Sequence, residues 1–259
     1  MNQLEDKVVN QLVDRVPVSL GTCPIVDAVI EIRFESNVIP QAVFGIIYEK
    51  LRLRYPKAEQ LPIAQIPGAL LQQDQNLRFQ AQYRLSNDKY LVQVGPEVLT
   101  ISPIINNAIL YPGWSNYSNE IKEVLELVLL SGIVKVVSRI GIRYTNFFPA
   151  EDILNQLRLS LAYNGKVIPF NETMLRTDLG EHEGFRNTLQ VSNAASRFSA
   201  GSTVPELGSV IDVDTFRMGY EQSDVKSLTS LINTGHLVEK KVFWTLLKDE
   251  LRERLQPNF

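Results

Sequence analysis

The chain has 259 residues, 26 basic and 29 acidic, with a formal net charge of −3, so non-specific affinity for nucleic acid should be weak. Hydrophobic residues at 44% and charged residues at 21% exclude a disordered chain. A single cysteine, Cys23, excludes an intrachain disulfide and multi-cysteine zinc or iron–sulfur centres; two histidines, His182 and His236, leave few ligands for a transition metal, so no metal or cofactor is expected.

No stretch reaches the roughly 18–20 apolar residues needed to cross a bilayer. The apolar runs Val124–Leu130 and Gly132–Val137 are broken by Glu126 and Lys135. Met1–Arg15 is charged throughout and lacks a signal-peptide core, so a cytoplasmic location is expected.

Residues 1–19 form an arm in which Leu4, Val8, Leu12 and Val16 would share one face of a short helix. Alternation of Ala28, Ile30, Ile32 and Phe34 with Val29, Glu31, Arg33 and Glu35 predicts a half-buried strand. Pro40 opens a helix running to about Tyr55, with Val43, Phe44, Ile47 and Leu51 as its apolar stripe. Three strands are expected next, at Leu77–Leu85, Tyr90–Val94 and Val98–Ser102. A helix capped by Ser115 or Ser118 and closed by Gly132 follows. The second half repeats the theme: a strand over Val134–Phe147, a helix from Ala150 to Leu161, then strands near Glu172–Leu179, Arg186–Ala194 and Ser209–Arg217. Two closing helices are expected, near Asp224–Leu231 and Val238–Leu255.

The chain therefore reads as α+β, with largely antiparallel sheet and helices on one face. Its units are the arm (1–19), a first half (20–133) and a second half (134–259). Ile32-Arg33-Phe34 and Ile142-Arg143-Tyr144 lie 110 residues apart, each in a strand followed by a proline. Both halves then read strand, helix, three strands, helix: an internal duplication, of a kind with helix-grip and TATA-binding-protein-like architectures.

Pro24–Phe34, Val92–Ser102, Tyr111-Pro112-Gly113-Trp114, Arg139–Phe147, Val210–Asp214 and the ending around Gly235-His236 and Val242-Phe243-Trp244 occur in an order and spacing that resembles a sporadically distributed prokaryotic family of similar length. The resemblance covers about residue 22 to the C-terminus and implies no established activity, cofactor or catalytic residue. Its patchy occurrence is that of genome-defence or toxin–antitoxin genes.

Phosphate-loop, dinucleotide, zinc-protease and serine-hydrolase signatures are absent from the sequence. His182, between Glu181 and Glu183 and flanked by Gly180 and Gly184, reads as a solvated hairpin turn. Cys23 reads as a buried, inert thiol. His236 reads as a packing or capping residue at the start of the last helix, kept neutral by the positive helix end. Tyr111 and Trp114 form either an aromatic platform for a base or partner side chain, or an anchor for the helix start. A period of two groups Glu31 with Arg33, Arg139 with Arg143, Asp212 with Asp214, and Arg78 with Gln80, Gln82 and Arg84. On one sheet these side chains would make either a ladder of salt bridges or a groove whose arginine forks take a phosphate-bearing ligand.

These readings favour a non-enzymatic recognition protein, a subunit of a prokaryotic defence or toxin–antitoxin system that meets a protein partner or itself. The alternatives are a ligand- or nucleic-acid-binding enzyme using the arginine- and aspartate-rich face, and a structural homodimer joined through its sheet edges. No membrane partner is expected.

Overall fold

The computed structural model describes residues 15–168, 172–198, 203–221 and 224–259. The helix expected for the arm lies outside the described residues up to position 14. The first element described is strand β1 (Ser19–Leu20).

In the first half, β2 (Ile25–Ser36) leads to helix α1 (Pro40–Leu51), which Pro40 opens at N1/N2. Strand β3 (Lys57–Gln60), a 3₁₀ turn (Pro62–Gln65) and short helices α2 (Gly68–Gln73) and α3 (Gln75–Arg78) come next. Then follow β4 (Tyr83–Ser86), β5 (Tyr90–Gly95), β6 (Val98–Pro103) and helix α4 (Trp114–Leu129). The second half contains β7 (Val134–Pro149), a 3₁₀ turn (Leu154–Gln156), the small hairpin β8 (Ala162–Tyr163) and β9 (Lys166–Val167), and the long strands β10 (Met174–His182), β11 (Phe185–Arg197) and β12 (Glu206–Glu221). Helices α5 (Val225–Leu246) and α6 (Asp249–Arg254) and strand β13 (Pro257–Asn258) complete the chain.

The fold is α+β. One nine-stranded antiparallel sheet runs β10-β11-β12-β7-β2-β6-β5-β4-β3. Outward from its centre the first half reads β2-β6-β5-β4 and the second β7-β12-β11-β10. In each, the opening strand is central and a meander returns from the edge to pair with it. The halves join where β2 meets β7, with Ile30 opposite Ile142 and Ile32 opposite Ile140.

Helices cover one face. Helix α1 lies over β4 and β5, α4 packs between α1 and α5, and α5 lies over β7, β11 and β12. Ala28, Ile30, Ile32, Phe34, Ile140 and Ile142 point into this layer and are buried. Tyr117 of α4 reaches the sheet itself: its hydroxyl donates to the Ile101 carbonyl (2.5 Å) and accepts from the Ile30 amide (3.1 Å). A second apolar cluster, including Leu154, Leu189, Ile211, Phe243, Leu247 and Leu251, fills the space beneath the end of α5.

Four expectations are corrected. The strand over Leu77–Leu85 begins only at Tyr83, because β3 offers pairing to Tyr83–Ser86 alone. Before that the chain turns helically and crosses the polar face, where Phe79 lies under the Arg33 guanidinium at 4.3 Å. The helix over Ala150–Leu161 is replaced by a 3₁₀ turn. Its backbone is claimed elsewhere, the Arg158 amide donating to the Leu246 carbonyl (2.7 Å) and the Gln156 carbonyl accepting from the Lys248 amide (2.9 Å). The two closing helices are one continuous α5 through Gly235, followed by the short α6. A Cβ on Gly235 would stand 2.5 Å from Ile142 Cδ1 and 2.8 Å from Phe185, so glycine here seats the helix on the sheet rather than ending it. The cap of α4 is Gly113 at φ +81°, with Ser115 and Ser118 inside the helix.

Candidate functional site

The arginine and aspartate side chains do share one face. Glu31, Arg33, Arg139, Arg143, Asp212 and Asp214 project from neighbouring strands on the side away from α1, α4 and α5. Arg33 and Arg139 stand directly opposite each other, and Glu31 Oε1 accepts from both, from Arg33 Nε at 2.7 Å. Arg139 also reaches both oxygens of Asp214, at 3.1 and 3.3 Å, and stacks over Phe216. Its guanidinium lies across Gly141, where a Cβ would fall 2.2 Å from Nη1. Arg143 Nε donates to both oxygens of Asp212 at 2.9 and 3.0 Å, and Thr145 adds a hydroxyl at 2.8 Å. Arg84 pairs with Glu59 (2.6 Å) and Arg78 with Glu97 (2.5 Å).

Of Arg78, Gln80, Gln82 and Arg84, expected along one strand, only Arg84 lies on β4; Arg78 ends α3, and Gln80 and Gln82 precede the strand. Burial raises the Asp214 carboxyl against the lowering effect of Arg139, and raises Asp27 against Arg143. Each guanidinium of this set is thus already held by a carboxylate. Counting Asp27, the centre of the face carries four acids against Arg33, Arg139 and Arg143. An incoming phosphate would have to displace a carboxylate from an arginine and would meet a local excess of negative charge.

On the other face of the sheet, four residues singled out in the sequence come together. Cys23, Tyr111, Trp114 and His236 line one cavity of about 190 Å³ between β7, the start of α4 and the middle of α5. Pro17–Leu20 cross its mouth. This strap is held by β1–β13 pairing, by the Val18 amide donating to the Asn258 carbonyl (2.6 Å) and by Lys240 Nζ donating to the Val18 carbonyl (3.1 Å).

Helix α5 supplies His236, Glu239, Lys240 and Phe243, spaced to fall on one helical face. His236 sits within α5 rather than at a helix start, and its neutrality comes from burial, with Lys240 adding to it; together they push its pKa down to about 3. Its Nδ1 is buried without a hydrogen-bond partner. Glu239 is 4% exposed and makes no hydrogen bond or ion pair among the described residues. Burial drives its pKa well above the ordinary carboxylate range, which keeps it protonated.

The Trp114 ring stacks on His236, and its indole N–H donates to Asn233 Oδ1 at 3.1 Å. Tyr111 and Tyr144 join hydroxyls at 2.9 Å, and burial raises both phenols. Cys23 is exposed at the rim, contrary to the expectation of a buried thiol: the break at Gly21 and Pro24 leaves it outside β2. Desolvation nevertheless raises its pKa, so it stays a thiol.

His182 ends β10 beside a tight turn in which Glu183 and Gly184 both have positive φ, as a two-residue hairpin requires. Among the described residues no group of three His, Cys, Asp or Glu side chains is placed to hold a metal, and no helix is long and apolar enough to cross a membrane. Glu239 and Lys240 were missed in the sequence: they lie one turn after His236, but as charged residues of an amphipathic helix they carry no local sign that other elements close over them. Neither a protein-family model nor a curated protein matches the chain.

Proposed function

We propose that the protein is a non-catalytic recognition protein that holds a small, largely apolar molecule in the cavity between α5 and the sheet. The observation that carries this reading is a cavity of about 190 Å³ in whose aromatic wall sit a few buried polar groups: His236 with an unpartnered Nδ1, Glu239 and the Tyr111–Tyr144 hydroxyl pair. A few convergent polar groups in an otherwise apolar pocket give a ligand its orientation while burial gives affinity. The groups are suited to holding rather than transferring: the Cys23 thiol is protonated, and the His236 ring is stacked and neutral.

Assignment to a defence or toxin–antitoxin assembly rests on the family resemblance alone. We also read the halves as tandem copies of one unit, supported by the shared strand order and the facing isoleucines of β2 and β7.

A thermal-shift screen with small aromatic and aliphatic compounds tests the cavity. Cys23→Trp, at the exposed rim, blocks the mouth without touching the core. Compounds should raise the midpoint of the wild-type protein and not of C23W. A library that shifts neither, or both alike, overturns the reading.

A further inference from the structure

The charge of the ligand follows from the wall. Among the cavity-lining residues the ionisable ones are Cys23, Tyr111, Tyr144, His236, Glu239 and Lys240. Burial favours the uncharged form of the thiol, the phenols, the imidazole and the carboxyl; it also lowers the Lys240 ammonium, against the raising effect of Glu239, and Lys240 is the basic side chain left to meet a ligand. Lys240 is half-buried and has no carboxylate within ion-pair distance among the described residues; its fixed partner is the Val18 carbonyl. A partly desolvated cation without a counter-ion is electrostatically incomplete.

The remaining polar groups supply donors. When one tyrosine hydroxyl donates to the other, the acceptor's own O–H stays free. The protonated Glu239 carboxyl offers an O–H. A cationic ligand would meet Lys240 and no ionised carboxylate; an anion would meet the ammonium and these donors.

We propose that this cavity takes a small apolar monoanion, a carboxylate on an aromatic or branched aliphatic body, with its acid group at Lys240 and its body against Trp114, Tyr144, Phe243 and Trp244. This rests on the cavity-binding reading above and adds the ligand class to it. An apolar cavity of about 150 Å³ accommodates benzene, so a space of about 190 Å³ admits a ring carrying one carboxylate.

Both tryptophans of the chain, Trp114 and Trp244, line the cavity, so intrinsic fluorescence reports its occupancy directly. The test titrates benzoate, benzamide and benzylamine into the full chain, with calorimetry as a second readout. Benzoate should bind about tenfold or more tighter than benzamide, the scale of one charge-assisted hydrogen bond, and benzylamine more weakly than either. Lys240→Gln should remove the preference, so that benzoate and benzamide bind this variant alike. Lys241→Gln, whose lysine pairs with Glu183 outside the cavity, should bind all three as wild type does. Equal or tighter binding of benzamide or benzylamine, or benzoate binding that survives K240Q, overturns the anion assignment and leaves the cavity reading standing. Failure of all three probes to bind the folded wild-type protein overturns both.

Discussion

The indole of Trp114 lies parallel to the imidazole of His236, with ring centroids 3.7 Å apart and planes 11° from each other. Trp114 is the first residue of α4 and His236 lies in the middle of α5, so this stack clamps the two helices above β7. The contact buries His236 in its neutral form, which ties stability to pH. The unfolded chain takes up the proton near pH 6.5, the folded protein only near pH 3. Stability from this group is therefore complete above about pH 6.5 and is lost as pH falls towards 3. Denaturant unfolding should show a loss of about 2 kcal/mol between about pH 8 and pH 5 from this residue. His236→Phe, which keeps a ring in the stack, should lose less over the same interval, and an unchanged acid limb would contradict the assignment.

Glu239 acts in the opposite direction. Its folded-state pKa is raised, first by burial, so the unfolded chain gives up its proton at lower pH than the folded protein does. The contribution is complete below about pH 4.3 and falls as pH rises towards the folded value. Glu239→Gln preserves the shape of the protonated carboxyl and removes the titration. It should match the wild type near pH 4 and exceed its stability near pH 8 by about 1–3 kcal/mol, the scale of a buried polar group without a partner. Equal unfolding midpoints near pH 8 would place an undetected cation at the carboxyl.

The polar face predicts unequal arginines. Arg139 is 9% exposed at its side chain and holds both Glu31 and Asp214, so Arg139→Ala strands two carboxylates and should cost about 3 kcal/mol. Arg33 is 27% exposed and shares Glu31 with Arg139, so Arg33→Ala should cost about 1 kcal/mol or less. Urea titrations of the two variants should separate them clearly; equal costs would mean that the burial and second carboxylate of Arg139 add nothing beyond what Arg33 contributes.

Gly235 lets α5 lie close against the sheet. A Cβ there meets Ile142 Cδ1 at 2.5 Å and the Phe185 ring at 2.8 Å. Although alanine favours helix, Gly235→Ala should destabilise by about 1–3 kcal/mol through overpacking. It should also push His236 away from Trp114, visible as altered tryptophan fluorescence. A variant more stable than wild type would show that the helix can lift without penalty.

Much of the sheet was legible because the alternation of Ala28–Phe34 and of Ile140–Tyr144 reports one buried face directly. Pro40 was an equally local signal, as was the hairpin read around His182, although His182 itself ends β10 and the turn falls on Glu183-Gly184. The grouping of the arginines and aspartates followed from the same period of two. Their pairing did not, since Arg143 faces Asp214 in register but bonds to Asp212.

The cavity was not legible as a cavity. Cys23, Tyr111, Trp114 and His236 were each visible as unusual residues, but they are far apart in the chain and meet only because the start of α4 packs against α5, which lies over β7. Gly235 misled for a physical reason: the residue that breaks an isolated helix is also the one that lets a helix lie close to a sheet. Composition and periodicity determined an α+β protein with a one-sided helical layer, because burial of apolar faces is written into local spacing. The partner of each buried polar group, and so the burial of Glu239 and the bond of Lys240 to the Val18 carbonyl, was decided by tertiary packing, because desolvation depends on every element that closes over the site rather than on neighbours in sequence.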